Sequence, residues 1–250
     1  RSDNVTVFFD GTSSTGSWPT VDGIYLVSDK TPIQNNTIKD STVEVIGANY
    51  VYGVNVGNAK DTTIENINVK VDSAYYSDAI QLFDADTITI TGTATATATS
   101  EAYGVYSTAM GTGYSKNIDL TGYDVTVTAA KATGVLIEGS QNVLIAGANY
   151  NITGDDATAI NAHIDFMNNI PTNITITGLD IAIDTTGDSN VLYFGKADSI
   201  TITENNIETT GGSKINFNET TNAEVTNNYI LIGDMMSGSF GDYAVMTTEE

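Results

Sequence analysis

The chain has 250 residues, of which 31 are acidic and only 9 are lysine or arginine, for a formal net charge of −22, and it contains no cysteine. The absence of cysteine excludes a disulfide framework and a thiolate metal site, and the shortage of cations excludes nucleic acid as a natural partner. No apolar run is long enough to span a bilayer, so membrane insertion is not expected.

The first 22 residues are predicted to form an N-terminal strand and cap. Residues 5–9, Val-Thr-Val-Phe-Phe, are β-branched or aromatic, which is typical of a strand, and Trp18 lies nearby. Such a strand can cover the first coil of its own chain or pair with a neighbouring subunit. Both possibilities stay open at this point.

Residues 23–232 carry a repeated pattern. A short apolar strand opening, often Gly-Val-x-Val, returns at intervals of 24 to 31 residues. Strands this short cannot bury their own faces unless they stack, so the period predicts a solenoid. We number its coils 1 to 8 from these starting residues: Gly23, Gly53, Ala79, Gly104, Gly134, Ala159, Asn190 and Lys214.

A second strand in each coil ends on an apolar residue that should point inward. Because equivalent residues stack in a solenoid, these positions are predicted to form one buried ladder. Its members are Ile64, Ile90, Leu120, Ile145, Ile176, Ile202 and Val225.

A corner residue follows two positions after the ladder, before a third, alternating strand begins. It is almost always Gly, Asn or Asp, the residues that tolerate the left-handed backbone of a sharp bend. The exception is Glu204, which Asn205 follows. The other corner residues are Asp40, Asn66, Gly92, Gly122, Gly147, Gly178 and Asn227.

Coils 4 and 6 carry a few extra residues, Gly-Thr-Gly-Tyr-Ser and Met-Asn-Asn-Ile-Pro, at another corner. Three strands per coil, one tight corner and one variable corner resemble the right-handed parallel β-helix of the pectate-lyase-like superfamily. The resemblance implies an all-β, single-stranded right-handed parallel β-helix of about eight coils of three strands, over roughly residues 20–232. It covers the fold and not an active site. Most pectin and alginate lyases of this fold use Arg or Lys on substrate carboxylates, and that apparatus is missing here.

The last segment, residues 233–250, is predicted to form a C-terminal cap. It follows the last coil and carries enough apolar side chains to cover the end of the solenoid. These are Met235, Met236, Phe240, Tyr243, Val245 and Met246.

Catalytic groups, if the chain had any, should lie on the outward side of the first strands, where stacked coils form a groove. Glu138 and His163 are predicted to be neighbours there and could act as a base and its partner. Asp155 and Asp156 resemble the paired aspartates of polygalacturonase-type glycosidases, which suit hydrolysis. A cross-strand contact and an Asp-Asp turn explain the same residues, so we expect no enzyme.

Three acidic pairs could bind a divalent cation such as calcium, although none has the spacing of a known calcium loop. They are Asp84 with Asp86, Asp155 with Asp156, and Asp184 with Asp188. No other cofactor is expected. Solubility of a long acidic rod is the simpler explanation of the charge.

Alternating threonines from Thr87 to Thr99 raise the possibility of ice binding. That function needs the same residues on successive coils, but the adjacent coil carries Glu65, Asn68 and Lys70. A threonine-rich strand is otherwise ordinary for a polar sheet face.

Five Asn-x-Ser/Thr sequons are candidate glycosylation sites: Asn4, Asn35, Asn151, Asn173 and Asn218. With the acidity, the repeats and the missing cysteines, they make the chain similar to prokaryotic surface proteins, especially adhesin-like, S-layer and sheath proteins of methanogenic archaea. The resemblance implies an extracellular glycoprotein that assembles with itself into a layer, sheath or filament.

The assembly interface is expected to combine the N-terminal strand with an apolar strip on the outward side of the first strands. The alternative function is a polysaccharide-binding or polysaccharide-cleaving β-helix that uses the same groove. The expected interface residues are Val5, Val7, Phe9, Phe83, Tyr106, Leu136, Leu192 and Phe194.

Overall fold

The computed structural model describes residues 2–3, 5–11, 20–47, 49–109 and 113–232. The predictions on Asn4, Trp18 and the cap at 233–250 lie outside these ranges. All regular secondary structure within them is β-strand. No helix among these residues is long and apolar enough to cross a membrane.

The described strands follow one another with short connections. In chain order they are β1 (Ser2–Asp3), β2 (Thr6–Gly11), β3 (Thr20–Val27), β4 (Ile33–Lys39), β5 (Thr42–Gly47), β6 (Tyr50–Gly57), β7 (Ala59–Ser73), β8 (Tyr76–Phe83), β9 (Asp86–Ala98), β10 (Glu101–Thr108), β11 (Lys116–Asp119), β12 (Tyr123–Thr128), β13 (Lys131–Glu138), β14 (Gln141–Ala146), β15 (Asn149–Gly154), β16 (Asp156–His163), β17 (Thr172–Thr177), β18 (Asp180–Gly195), β19 (Asp198–Thr203), β20 (Asn206–Asn218), β21 (Thr221–Thr226) and β22 (Tyr229–Ile232).

Away from the two ends, each strand pairs in parallel with its equivalents one coil earlier and one coil later. The first strands, for example, stack in the order β3, β6, β8, β10, β13 and β16. Some strands pass through a corner: β7 and β9 form both the second and the third strand of their coils. The chain is therefore an all-β parallel β-helix of about eight coils, consistent with the right-handed class, and the predicted fold is confirmed.

The inward ladder of the second strands is the centre of the core. Six of its seven predicted residues, from Ile64 to Ile202, are completely buried. The prediction is wrong for Val225, which is only partly buried. Val225 lies in the last coil, where no further coil packs on it among the described residues.

The corner between the second and third strands has a left-handed backbone in all eight coils. Its φ values run from 48° at Asp40 to 125° at Gly92, as predicted. In coil 7 Glu204 itself takes this conformation, with φ 59°. Asn205 is instead buried, where its Oδ1 accepts the Leu179 N–H at 2.9 Å. Its side chain therefore satisfies a backbone group inside the bend.

A second left-handed position recurs at the start of the second strand, and the sequence analysis missed it. It is Asn35, Asp61, Thr87, Asn117, Asn142, Asn173, Ser199 and Asn222, with φ between 51° and 58°. Four coils link their side chains there. Each amide donates to a side chain of the preceding coil. Asn173 donates to Asn142 and Asn142 donates to Asn117, both at 2.9 Å, and Asn117 donates to Asp86 at 2.8 Å. These bonds connect coils 3 to 6 along the axis.

The glycines at the repeat starts lie inside the first strands and face the core. A Cβ on Gly53 would lie 2.3 Å from Val69, and one on Gly104 would lie 2.3 Å from Val125. Coil 3 has Ala79 at this position, and there the third strand carries Ala94 in register with Val69 and Val125. In coils 2 to 4 the starting residue is thus matched to the size of the third-strand side chain.

The predicted register is wrong in coil 7, where Leu192 and Phe194 were expected to point outward. Both are completely buried, and Phe194 is in register with the inward Ala162. The pairing of β18 with β20 shifts by one residue between Asn190 and Leu192. This bulge moves the apolar pair into the core and places Tyr193 in register with the outward Asn161.

The solenoid has an incomplete rung at its N-terminal end. Strand β2 lies in the third-strand position and pairs in parallel with β5 of its own chain. Its far edge pairs with no other strand in the part of the chain that the structure describes. At the other end β22, also a third strand, pairs only with β20 within the same ranges.

Candidate functional site

The outward side of the first strands carries the ionisable and aromatic side chains that sequence analysis singled out. Glu138 and His163 end β13 and β16 and are direct cross-strand partners. The predicted neighbourhood of these two residues is confirmed. Both side chains are partly exposed.

Glu138 is held by hydroxyl groups from the adjacent coil. Its Oε2 accepts hydrogen bonds from the Tyr106 hydroxyl at 2.7 Å and from Thr108 Oγ1 at 2.9 Å. Its Oε1 lies 3.8 Å from His163 Nε2. These two hydrogen bonds fix the orientation of the Glu138 carboxyl group in the groove.

His163 is oriented by the backbone. Its Nδ1 lies 2.8 Å from the Ile164 carbonyl oxygen, which can only accept, so Nδ1 carries a proton. Nε2 therefore faces Glu138 either as a lone pair or, when the ring is protonated, as the donor of an ion pair. The pair can hold a proton at Nε2 or remove one from a bound hydroxyl group.

Asp155 and Asp156 do not join this pair. Asp156 begins β16 and His163 ends it, a separation of roughly 23 Å along an extended strand. Both aspartates are exposed, and Asp155 Oδ1 accepts a 2.7 Å hydrogen bond from Thr186. The structure thus places the two predicted catalytic pairs at opposite ends of the first strand.

A cluster of aromatic rings lies near the start of the first strands in coils 2 to 4. Neighbouring rings have centroids 5.5 to 6.1 Å apart, within the range of favourable aromatic pairs. We call this cluster the tyrosine ridge. It consists of Tyr50, Tyr52, Tyr75, Tyr76, Tyr103 and Tyr106.

Asp78 is buried under the tyrosine ridge. Its side chain has no solvent exposure, and it lies in register between Tyr52 and Tyr103. It accepts a long, 3.3 Å hydrogen bond from the Tyr76 hydroxyl, while its Oδ1 has no partner. Burial raises the pKa of Asp78 well above its usual value, against the opposing effect of the Tyr76 hydrogen bond.

The same environment affects the tyrosines. Burial, followed by the nearby charges of Asp78 and Asp22, raises the pKa of Tyr52 to about 12. Burial also raises the pKa of Tyr76 and of Tyr103. The hydroxyls of Tyr52, Tyr76 and Tyr103 therefore stay protonated and can donate hydrogen bonds across the ordinary pH range.

Further carboxylates border the ridge. Glu101 accepts hydrogen bonds from the Tyr103 hydroxyl and from Lys131 Nζ, the latter at 2.6 Å. Asp22 accepts a 3.3 Å hydrogen bond from Asn55, and burial raises the pKa of this aspartate. The ridge thus combines aromatic rings with a predominantly negative surround.

No group of three or more His, Cys, Asp or Glu side chains gathers around a common point within the described ranges. Partial burial raises the pKa of Asp86. Hydrogen bonds from Asn117 and Thr87 and the charge of Lys116 outweigh this effect, so the pKa of Asp86 is lowered. Asp184 accepts a 2.6 Å hydrogen bond from Thr210. These protein donors occupy oxygens that the predicted calcium pairs would offer. Two further members of the predicted calcium pairs are Asp84 and Asp188. Asp84 lies near Gly113, and the side chain of Asp188 is outside the described part of the structure.

The predicted apolar strip is not continuous. Phe83 is partly exposed and lies over Gly57 of the preceding coil. Leu136 is only 5% exposed, and the Tyr106 hydroxyl donates a hydrogen bond to Glu138. In the N-terminal strand Val5 and Val7 are partly buried, whereas Phe9 is 47% exposed. The exposed apolar surface of the expected interface is therefore at the end of the solenoid.

The four described sequon residues, Asn35, Asn151, Asn173 and Asn218, are all exposed. Asn173 also belongs to the row of side-chain hydrogen bonds that runs through Asn142 and Asn117, so a glycan would be attached to the nitrogen that donates to Asn142. The other three lie outside that row.

Sequence analysis missed the tyrosine ridge and Asp78. A signal was present, because tyrosines recur just before or after the repeat starts of coils 2, 3 and 4. Their stacking across coils makes them one surface. No protein-family model and no curated protein matches this chain.

Proposed function

We propose that this chain is a structural building block of an extracellular cell-surface layer, sheath or filament, which polymerises end to end. One observation carries the proposal: both ends of the described solenoid expose apolar side chains beside a strand edge. Phe8 and Phe9 on β2 are 63% and 47% exposed, and Tyr229 and Leu231 on β22 are 60% and 52% exposed. A soluble monomer rarely leaves such edges uncovered.

The two ends are complementary. Strands β2 and β22 both occupy the third-strand position, and every described pairing of that sheet is parallel. A second copy placed on the axis can therefore continue the sheet, at the usual spacing of about 4.8 Å. Such a head-to-tail contact does not close on itself, so it generates a filament.

Charge gives this assembly a dependence on salt. A net charge of −22 per chain opposes the approach of two copies at low ionic strength, and salt or divalent cations screen that repulsion. The resemblance to archaeal adhesin-like, S-layer and sheath proteins supports the extracellular location, and the exposed sequons suit a surface glycoprotein.

Sedimentation velocity of the purified chain tests the proposal. The wild type should form larger species as salt and concentration rise, and the double variant Phe8→Ser/Phe9→Ser should stay monomeric. Phe166→Ser is the matched control, because Phe166 is 69% exposed but lies in an inserted loop. A wild type that remains monomeric at high salt, or a Phe166→Ser variant as defective as the double variant, contradicts the proposal.

The second candidate is a β-helix that binds or cleaves a polysaccharide along its first strands. It is favoured by the tyrosine ridge and by Glu138, which Tyr106 and Thr108 orient toward His163. Binding and turnover assays with Glu138→Gln, and with Asp156→Asn as the control from the other end of the strand, test this candidate. Loss of both activities only in Glu138→Gln is expected, and equal loss in both variants contradicts it.

A further inference from the structure

We infer that the tyrosine ridge is a binding site for a polysaccharide that carries amino groups. This inference rests on the second candidate function and specifies its ligand class. It starts from the position of the rings. They lie on the outward side of the first strands, where Tyr75, on the bend before β8, is 47% exposed and Tyr103 is only 5% exposed. The rings are therefore not required to fill the interior of the solenoid.

The ridge has the shape of a platform for an extended ligand. It crosses coils 2, 3 and 4, so it is on the order of 10 Å long along the helix axis, from two strand spacings. Its ring faces are apolar, and its hydroxyl groups are hydrogen-bond donors. Repeating sugar units present the matching combination of an apolar face and a polar edge.

The charges around the ridge select the sign of the ligand. Glu101 and Asp22 lie at its border, and Glu138 is bonded to Tyr106 at one end. Lys131 is paired with Glu101. A polymer of uronic acids would meet these carboxylates as like charges, whereas ammonium groups gain both ion pairing and contact with the aromatic faces.

Asp78 supplies an independent observation that points the same way. It is completely buried between Tyr52 and Tyr103, and one of its two oxygens has no hydrogen-bond partner. A buried acceptor without a partner is rare and costly. An ammonium group on the rings above would place a positive charge near this buried carboxyl group, and an opposite charge nearby favours the ionised carboxylate.

Titration calorimetry with three probes tests the inference: oligomers of glucosamine, of N-acetylglucosamine and of galacturonic acid. We expect the glucosamine oligomer to bind, with affinity that falls as salt rises. The acetylated oligomer lacks the charge and should bind roughly tenfold more weakly, from the usual size of a cation–π contact. The galacturonic acid oligomer should not bind.

Variants separate the ridge from the overall charge of the chain. Tyr76→Ala and Tyr75→Ala should each weaken glucosamine binding. Tyr75 lies outside the strands, so its removal keeps the test valid if Tyr76→Ala does not fold. Phe166→Ala, which removes a 69% exposed aromatic ring from the loop between β16 and β17, is the matched control and should bind as the wild type does.

Each other result overturns the inference. Equal binding of the glucosamine and N-acetylglucosamine oligomers shows that the ridge does not distinguish a charged sugar from a neutral one, and it leaves the second candidate function intact. Binding that survives in both ridge variants shows attraction to the net charge only. No binding of any probe overturns this inference, whereas the second candidate function is decided by the assays with Glu138→Gln and Asp156→Asn.

Discussion

The middle of the solenoid and its ends are built from the same repeat but are buried to different degrees. In coils 2 to 7 each strand has a neighbour on both sides, and ladder residues such as Ile64 and Ile202 have no exposure. In the last coil the equivalent Val225 is partly exposed, and Tyr229 is 60% exposed. The difference shows that burial here depends on the next coil more than on the residue itself.

The ends of the solenoid are also the places where strand edges can accept a partner. A coil in the middle pairs along both strand edges with adjacent coils, whereas β2 and β22 at the ends each pair along one edge only within the part of the chain that the structure describes. The repeat can therefore be extended by any chain with the same geometry, including a second copy. Predictions that pair a middle position with its equivalent at the end test this view directly.

The largest effect is expected for a charge in the buried ladder. Ile145→Asp places a carboxylate where the side chain has no exposure, and it should cost more than about 4 kcal/mol and unfold the central coils. Val225→Asp, at the same ladder position in the last coil, should cost much less. Circular dichroism and thermal unfolding measure both. Equal losses of stability would show that the end is as well packed as the middle.

A smaller loss is expected from the apolar pair that stacks across coils 7 and 8. The rings of Phe194 and Phe217 are parallel, with centroids 5.2 Å apart, but only Phe194 is completely buried. Phe194→Ala should cost roughly 3 to 5 kcal/mol, Phe217→Ala less, and Tyr193→Ala least. Urea unfolding gives the three values. A larger loss of stability for Tyr193→Ala than for Phe194→Ala would show that Tyr193 is the buried residue, as the register expected from the sequence requires.

That register could not be predicted because the local sequence is ambiguous. The local sequence is a continuous apolar run, Val191 to Phe194. Because apolar and polar residues do not alternate there, the sequence does not show which residues point inward, and a one-residue shift in pairing decides which side is buried. The corners were predictable for the opposite reason. A left-handed backbone restricts the residue type at positions such as Gly147 directly, without reference to the rest of the coil.

The buried carboxyl group should make stability depend on pH. The pKa of Asp78 is raised in the folded chain, so its contribution is fully present below the unfolded value of 3.8 and is lost as pH rises through the raised value. The slope is at most about 1.4 kcal/mol per pH unit for one proton. Asp78→Asn should remove this decline, which urea unfolding between acidic and neutral pH would measure. Parallel curves for the two proteins would contradict the assignment.

Asp78 itself was beyond sequence analysis. An aspartate before a small residue at the start of a strand is an ordinary exposed residue in most sheets, and only the tyrosines of the adjacent coils bury it. Those tyrosines are about 25 residues away on either side. Glu138 and His163 were predictable because the repeat alone places them in register, but their hydroxyl partners depend on side-chain directions.

The smallest effect is expected at the corners. Nothing lies within 4 Å of a Cβ built on Gly147, so Gly147→Val should cost only the strain of a β-branched residue at φ 58°, about 1 to 3 kcal/mol. Gly147→Asn is the control and should be tolerated, because Asn occupies this corner in coils 2 and 8. Asn227→Val in the last coil should lower the melting temperature less. No penalty for valine at Gly147 would contradict the left-handed assignment.

Electron microscopy of the purified chain at high and low salt shows whether the open ends pair with a second copy. Filaments one β-helix wide are expected at high salt, with an axial repeat on the order of 40 Å from eight stacked coils, and separate particles at low salt. Separate particles under all conditions, or sheets joined only side by side, would rule out end-to-end pairing.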